Sequence, residues 1–430
     1  VFLVIGLCLI ASSVFSQRDR KDTLSFEQYL QIVKEHHPFM ERAGLLPMQA
    51  EANLMMARGG FDPKVFADIS QKYFDGDQYY SVISSGVSIP TWFGLNFYSG
   101  FDQTGGVNLN PQFKMPDAGL VYAGAQWTLG QGLFIDQRRA DLKQAKLFTQ
   151  IAENDRVMLV NQLLLDASLA YWDWYAAHNS YAFIDEAYGV TRVRFEAIRQ
   201  AAFLGERAFI DTLEISIQLQ NLDLLRQDFK LQELNRRLEC GVFLWADGTV
   251  PVELNDNVAP SRNTDSKYSD DLNSIALQVR SLVDNHPEIM RDLMRIDQQQ
   301  IDLRLKREML KPIANLKYNA LNQPVGNNLI ANYSIQNYTW GVDFAIPILL
   351  RKERAGVQLS KLRLQDMNLV LDNKRALILM KAQASINEWQ IISEQLKLYQ
   401  KNLRDINRLL DAERSLFENG ESSVFLVNTR

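Results

Sequence analysis

The chain has 430 residues, of which 47% are hydrophobic and 23% charged, with a formal net charge of −5. This length allows two or three average domains, and the composition is that of a folded protein. The slight negative charge gives no footprint for a nucleic-acid partner, and two cysteines, Cys8 and Cys240, argue against a disulfide framework.

Residues 1–16 carry no charge and are mostly apolar, and Val14 and Ser16 stand at −3 and −1 of a possible cut before Gln17. The pattern is that of the apolar core and cleavage site of a secretory signal, incomplete because its basic start is missing. A membrane anchor is the alternative, but the run is too short to span comfortably. Leu7 is too large for a lipoprotein-type cut before Cys8. No run of transmembrane-helix length follows Ser16, so the rest is periplasmic, extracellular or a β-barrel.

A helix is predicted from Ser25 to Arg58, broken at His36-His37-Pro38, where proline interrupts the backbone ladder. Strands fall within 62–131. Val65, Ala67 and Ile69 alternate with Phe66, Asp68 and Ser70, and Ala123, Ala125, Trp127 and Leu129 share one face. Between these runs, Phe74 to Pro116 is rich in Gly, Asn, Asp and aromatics, with turn-like Asp75-Gly76-Asp77 and Gly105-Gly106. It reads as an enlarged loop or an extra hairpin. The stretch 136–203 has no proline and one glycine, Gly189. As a helix it would be roughly 100 Å long, far beyond a globular helix. A turn near Gly205 leads to a helix over 209–240. This carries two seven-residue series, Ile217/Leu224/Leu231/Leu238 and Ile215/Leu222/Phe229, the spacing of supercoiled helices. Residues 244–271, with Pro251, Pro260 and many Asp, Asn and Ser, read as a linker.

The remainder repeats the first half. His37-Pro38 and His286-Pro287 lie 249 apart (286 − 37), and the same offset carries Leu54 to Leu303, Arg58 to Arg307 and Pro63 to Pro312. An offset of 215 (354 − 139) carries Arg139-Ala140 to Arg354-Ala355, Lys146-Leu147 to Lys361-Leu362, Trp174 to Trp389, Arg199 to Arg414 and Gly205 to Gly420. Between Pro63 and Arg139, repeat one (17–243) therefore holds 34 more residues (249 − 215) than the matching stretch of repeat two (272–430). Repeat two is predicted to have strands within 312–347, a long helix over 350–417, a tip near Gly420, and a last helix cut short at Arg430. In its strands Tyr338, Trp340, Val342, Phe344 and Ile346 alternate with Thr339, Gly341, Asp343 and Ala345. Likewise Ala314, Leu316, Tyr318 and Ala320 alternate with Asn315, Lys317 and Asn319. Two seven-residue series recur, Leu396/Leu403/Leu410/Phe417 and Ile392/Tyr399/Ile406.

Strands with one apolar and one polar face suit a transmembrane barrel wall or a soluble sandwich. The long supercoiled helices favour the former. Two strands per repeat give about four per chain, too few to close, and an open edge is not tolerated in lipid, so several chains would share one barrel. Tyr338, Trp340 and Phe344 would face lipid, and Asp343, Thr339, Asn315, Lys317 and Asn319 would line the lumen. Around the tips Glu206, Arg207, Asp211 and Glu421 would ring a narrow end, or serve only as solvated turn residues. The fold class expected is an α+β membrane protein, an oligomeric transmembrane β-barrel continued by a coiled-coil α-helical barrel.

Catalysis finds no support. His36 and His37 adjoin at a proline break and face different ways, with no other metal ligands clustered nearby. Cys240 has no His or Asp companion, and no phosphate-binding glycine loop occurs. Trp172-Asp173-Trp174-Tyr175 reads as interhelical packing. No enzyme activity, cofactor or metal is expected.

The duplicated helix–strand–strand–helix unit, the Asn285-His286-Pro287 break, and the tips Phe203-Leu204-Gly205 and Glu418-Asn419-Gly420 together resemble the TolC-like outer membrane efflux proteins, over residues 24–430. The resemblance implies a homotrimer with a twelve-stranded barrel in the outer membrane of a Gram-negative bacterium. It implies a helical part in the periplasm that docks on an adaptor of an inner-membrane pump, in tripartite efflux or type I secretion. Leu204, Gly205, Glu206, Arg207, Asp211, Asn419, Gly420 and Glu421 would then form the entrance and adaptor contact, and 244–271 would join an equatorial belt. Relatives narrow the entrance with acids just after the tips. Asp211 fits, but its counterpart (211 + 215 = 426) is Leu426. The competing functions are a periplasmic coiled-coil scaffold and a general solute porin.

Overall fold

The computed structural model describes residues 22–246, 250–255, 257–261, 279, 282–326, 328, 333–422 and 424–430. The expected signal segment 1–16 and residues 262–271 of the expected linker lie outside the described residues. The chain divides into two compact units, one drawn from 1–45 and 156–266, the other from 46–155 and 267–430.

The first unit opens with strand β1 (Asp22–Leu24) and helix α1 (Phe26–His36). Ser25 starts α1 with a capping box: its hydroxyl accepts from the Gln28 N–H at 3.2 Å, and the Gln28 side chain accepts from the Ser25 N–H at 3.1 Å. Pro38 then begins α2 (Pro38–Gly59), occupying a first-turn position where its missing N–H costs nothing. The His37 ring is occupied at this break: Nδ1 accepts from the Phe39 N–H at 3.1 Å, and the ring stacks with Phe39 and Phe243.

The later part of α3 (Gln137–Phe203) packs in this unit with α4 (Phe209–Gly241) around Tyr29, Val33, Tyr171, Trp174 and Cys240. Trp174 is fully buried, whereas Trp172 is 38% exposed. The Tyr29 hydroxyl donates to the Cys240 carbonyl at 3.3 Å, and that of Tyr171 to the Leu24 carbonyl at 2.9 Å. The segment after α4 holds more structure than a linker. Two short strands (Trp245–Ala246 and Val250–Pro251) pair antiparallel, and Val258–Pro260 pairs in parallel with β1.

The second unit is built on one sheet. Its strands are β2 (Lys64–Phe74), β3 (Asp77–Pro90), β4 (Leu95–Gly105), β5 (Leu120–Thr128), β9 (Ile313–Asn322) and β10 (Tyr338–Ala345), the short strands above being β6 to β8. The order is β10-β9-β5-β4-β3-β2, antiparallel throughout. The expectation of about four strands is therefore corrected to six. Most of the 34 extra residues form a hairpin, β3–β4, seated between β2 and β5. Helix α5 (Pro287–Glu308) packs Ile289 and Ile296 against Leu371 of α6 (Arg351–Glu418). Lys374 of α6 meets Glu288 at 3.0 Å and also Asp292, and Arg291 reaches Asp155 at 3.4 Å. Burial pushes the Asp292 carboxyl up, but the hydrogen bonds from Lys374 and Arg291 outweigh it and leave the group lowered. Gln144 and Gln298 each donate to the other's backbone carbonyl, at 3.4 and 3.0 Å.

Helices α2 and α5 both have 22 residues and start 249 apart (287 − 38). Helices α3 and α6 have 67 and 68 and end 215 apart (418 − 203).

Candidate functional site

Side chains alternate across a strand, so the pairing register decides which residues share a face. Thr339 stands opposite Asn319, Gly341 opposite Lys317, and Asp343 opposite Asn315. The five barrel residues singled out above thus fall on one face, and Lys317 Nζ meets the Asp343 carboxylate there at 2.9 Å. Across the next ladder the same face takes Gln126 opposite Lys317 and Gly124 opposite Asn319. A Cβ at Gly124 would collide with the Asn319 side chain and the Tyr318 carbonyl, so only glycine fits.

The register carries this polar face through the hairpin. Tyr98 donates to Gln126 at 3.3 Å, and the Ser84 hydroxyl to the Asp102 carboxylate at 2.6 Å. Lys64, Asp68 and Ser70 continue it on β2, opposite Ser88, Ser84 and Val82. The opposite face is apolar: Trp340 and Phe344 are each 67% exposed and Val65 83%, with Ile83, Val87, Phe97 and Trp127 between them by register. One curled sheet therefore shows water-compatible groups on one side and a bare hydrocarbon surface on the other. Among the described residues, no helix is long and apolar enough to cross a membrane.

Ser84, Tyr98, Asp102 and Gln126 are not among the residues expected from the sequence. Period-two alternation over 81–104 was the available signal. Ser81, Ser85 and Ser99 on the apolar face blur it.

The tip residues form two turns. At the first, the Gly205 N–H donates to the Ala202 carbonyl at 3.1 Å and the Glu206 N–H to that of Ala201 at 2.9 Å. At the second, Gly420 donates to Phe417 at 3.0 Å and Glu421 to Leu416 at 2.8 Å. Both glycines sit at φ 79°, closing the helix through the left-handed conformation that glycine tolerates best. Leu204 is 71% exposed, Asn419 follows α6 as its cap, and Arg207 pairs with Asp211 at 4.0 Å in the first turn of α4. The second tip also buries Glu413, which accepts from Ser422 Oγ and pairs with Arg430 at 3.5 Å, a contact that sequence reasoning missed. At the positions 215 earlier stand Ile198 and Ile215, both buried.

No family model matches the chain, and no curated protein matches it. Solved structures do. The Campylobacter jejuni CmeC outer membrane channel aligns over 93% of this chain and 78% of its own at 14% identity and a TM-score of 0.61. The Neisseria gonorrhoeae MtrE outer membrane channel aligns over 94% and 81% at 10% identity and 0.63. The Vibrio cholerae outer membrane protein VceC aligns over 94% and 88% at 10% identity and 0.61.

The chain has the outer-membrane channel fold. Among the described residues, both edges of this sheet are unpaired in the single chain. β2 is exposed along its whole length, and β10 at every residue but Gly341.

Proposed function

We propose that the chain is one subunit of a passive outer-membrane exit duct. Three copies would share one β-barrel, and the duct would receive solute from an inner-membrane pump through a periplasmic adaptor, in tripartite efflux or type I secretion. The observation that carries this reading is the curled sheet, polar on one face, apolar on the other, and open at both edges. Lipid tolerates no open edge, so β2 of one copy pairs with β10 of the next until the ring closes. The matched lengths and offsets of α2 with α5, and of α3 with α6, support two copies of one ancestral unit in each chain. Exposed heptad leucines, among them Leu224 and Leu231, support helix pairing with a neighbouring copy. The tips, with Leu204, Gly205, Glu206, Arg207 and Asp211 at one and Asn419, Gly420 and Glu421 at the other, serve as entrance and adaptor contact.

The test is reconstitution of the full-length protein in planar bilayers. Trimers that conduct ions are expected, with Lys317→Glu raising cation preference and Asp211→Ala lowering it. Lys317→Glu without effect on selectivity removes the polar face from the conduction path. A monomer that stays in the aqueous phase and never conducts favours the coiled-coil scaffold instead.

A further inference from the structure

We propose that the hairpin Asp77–Gly105 is a transmembrane insertion. It would raise each chain's share of the barrel wall to six strands, so that three chains close 18 strands (3 × 6) rather than twelve. The inference rests on the trimeric duct proposed above, and it concerns the width of that duct.

Four observations carry it. First, the hairpin lies within the wall. β3 pairs with β2 from Lys64↔Ser88 to Phe74↔Asp77, and β4 pairs with β5 from Leu95↔Trp127 to Asp102↔Leu120. A loop folded over the barrel mouth would leave β2 and β5 paired to each other. Second, the strands have 14 and 11 residues, and a tilted strand needs about 9–11 to cross the hydrocarbon layer. Third, the hairpin obeys the same two-sided chemistry as β9 and β10. Ile83, Val87, Ile89, Phe97 and Phe101 share the face of Trp340, while Ser84, Ser88, Asp102 and Thr104 share that of Lys317. Ser81, Ser85, Ser99 and Gln103 interrupt the apolar side, but a hairpin standing in water above the membrane has no reason to gather its large apolar side chains there. Fourth, the polar face stays narrow through the insertion. Gly86 and Gly100 are direct partners on it, and the rings of Phe66 and Tyr122 lie where their Cβ atoms would be. Small residues on one side let a sheet curl towards that side, so the curl runs through β3 and β4 without a break.

Barrel diameter grows about linearly with strand number, so at equal tilt the lumen cross-section is about twice that of a twelve-stranded barrel. The insertion adds strands but no helix, so the added width belongs to the membrane-spanning section. Ser84, Tyr98 and Asp102 become pore-lining residues, and the duct joins the class of barrels that hold an open aqueous channel.

The experiment uses full-length protein in native outer-membrane vesicles, with single Ser84→Cys and Val87→Cys variants and a membrane-impermeant maleimide. Cys240 is fully buried, so the protein with Cys8→Ser serves as the unlabelled background for both variants. Ser84→Cys should label roughly tenfold faster or more than Val87→Cys, because lumen-facing and lipid-facing positions alternate. Electron microscopy of the detergent-solubilised trimer should count 18 strands, and deletion of 77–105, which leaves β2 and β5 free to pair, should reduce the count to twelve. A conducting trimer with a twelve-stranded wall in the parent protein, or equal labelling at both positions, overturns the insertion and leaves the exit duct standing. A water-soluble monomer overturns both.

Discussion

Glu233 shows how single side chains hold the helical part. It sits in α4 with its side chain 4% exposed, beside His178 at 3.9 Å, Lys230 at 3.1 Å and Arg237 at 4.0 Å. His178 first, then Lys230 and Arg237, hold its carboxyl down to about 2, against an ordinary value of 4.5. A carboxyl lowered in the folded state contributes stability that is complete above the ordinary value and lost as pH falls towards the folded one. Thermal melts should therefore lose stability between about pH 4.5 and 2, and Glu233→Gln should flatten that slope. Unchanged steepness in the variant would place the acid sensitivity elsewhere. In the sheet, Gly124→Ala forces a Cβ into the Asn319 side chain and the β9 backbone, and should cost about 1–3 kcal/mol in chemical unfolding by overpacking. That Asn315, Lys317, Asn319, Thr339 and Asp343 share one face was legible because alternation in two short strands sufficed to place them there. The Glu413–Arg430 pair was not legible, because the equivalent positions in the other half are Ile198 and Ile215 and nothing in local spacing announces an ion pair.

Helices and strands differ in what they disclose. A proline-free run with one glycine writes a 67-residue helix plainly, and seven-residue spacing marks its partner's seams. In the single chain one α4 series includes buried Ile215, whereas Ile217, Leu224, Leu231 and Leu238 are 51–66% exposed. Burying a leucine contributes about 1.5–3 kcal/mol. Leu224→Asp with Leu231→Asp should therefore dissolve the proposed oligomer, read as a fall in mass by light scattering, while circular dichroism keeps its helical signal. Retention of the oligomer would mean that this stripe meets solvent in the assembly too. The hairpin was harder to read. Serines on its apolar face and glycines on its polar face dilute the alternation, so the sequence alone left it open between loop and strands.

For the molecule as a whole, the decisive property is two-sidedness. Val342 lies on the apolar face and Gly341, its neighbour, on the polar one. Val342→Lys should cost about 2–4 kcal/mol of stability in liposomes if the face meets the bilayer interior, and Gly341→Lys far less. Equal costs, measured by urea unfolding of the reconstituted protein, would assign the apolar face to a protein core. The combination of long helices with a curled sheet was legible because strands and supercoiled helices impose different periods on one chain. The number of strands was not legible, since it depends on pairings that only the folded sheet displays.

The antiparallel order has a further consequence. From β10 to β2 the chain direction reverses five times, so the two free borders run oppositely and can meet head to tail with every rung still antiparallel. One additional strand would turn that seam parallel. If copies close a ring as proposed, an all-antiparallel wall grows only by even increments per chain, and a hairpin is the smallest step that gives such a ring a new calibre.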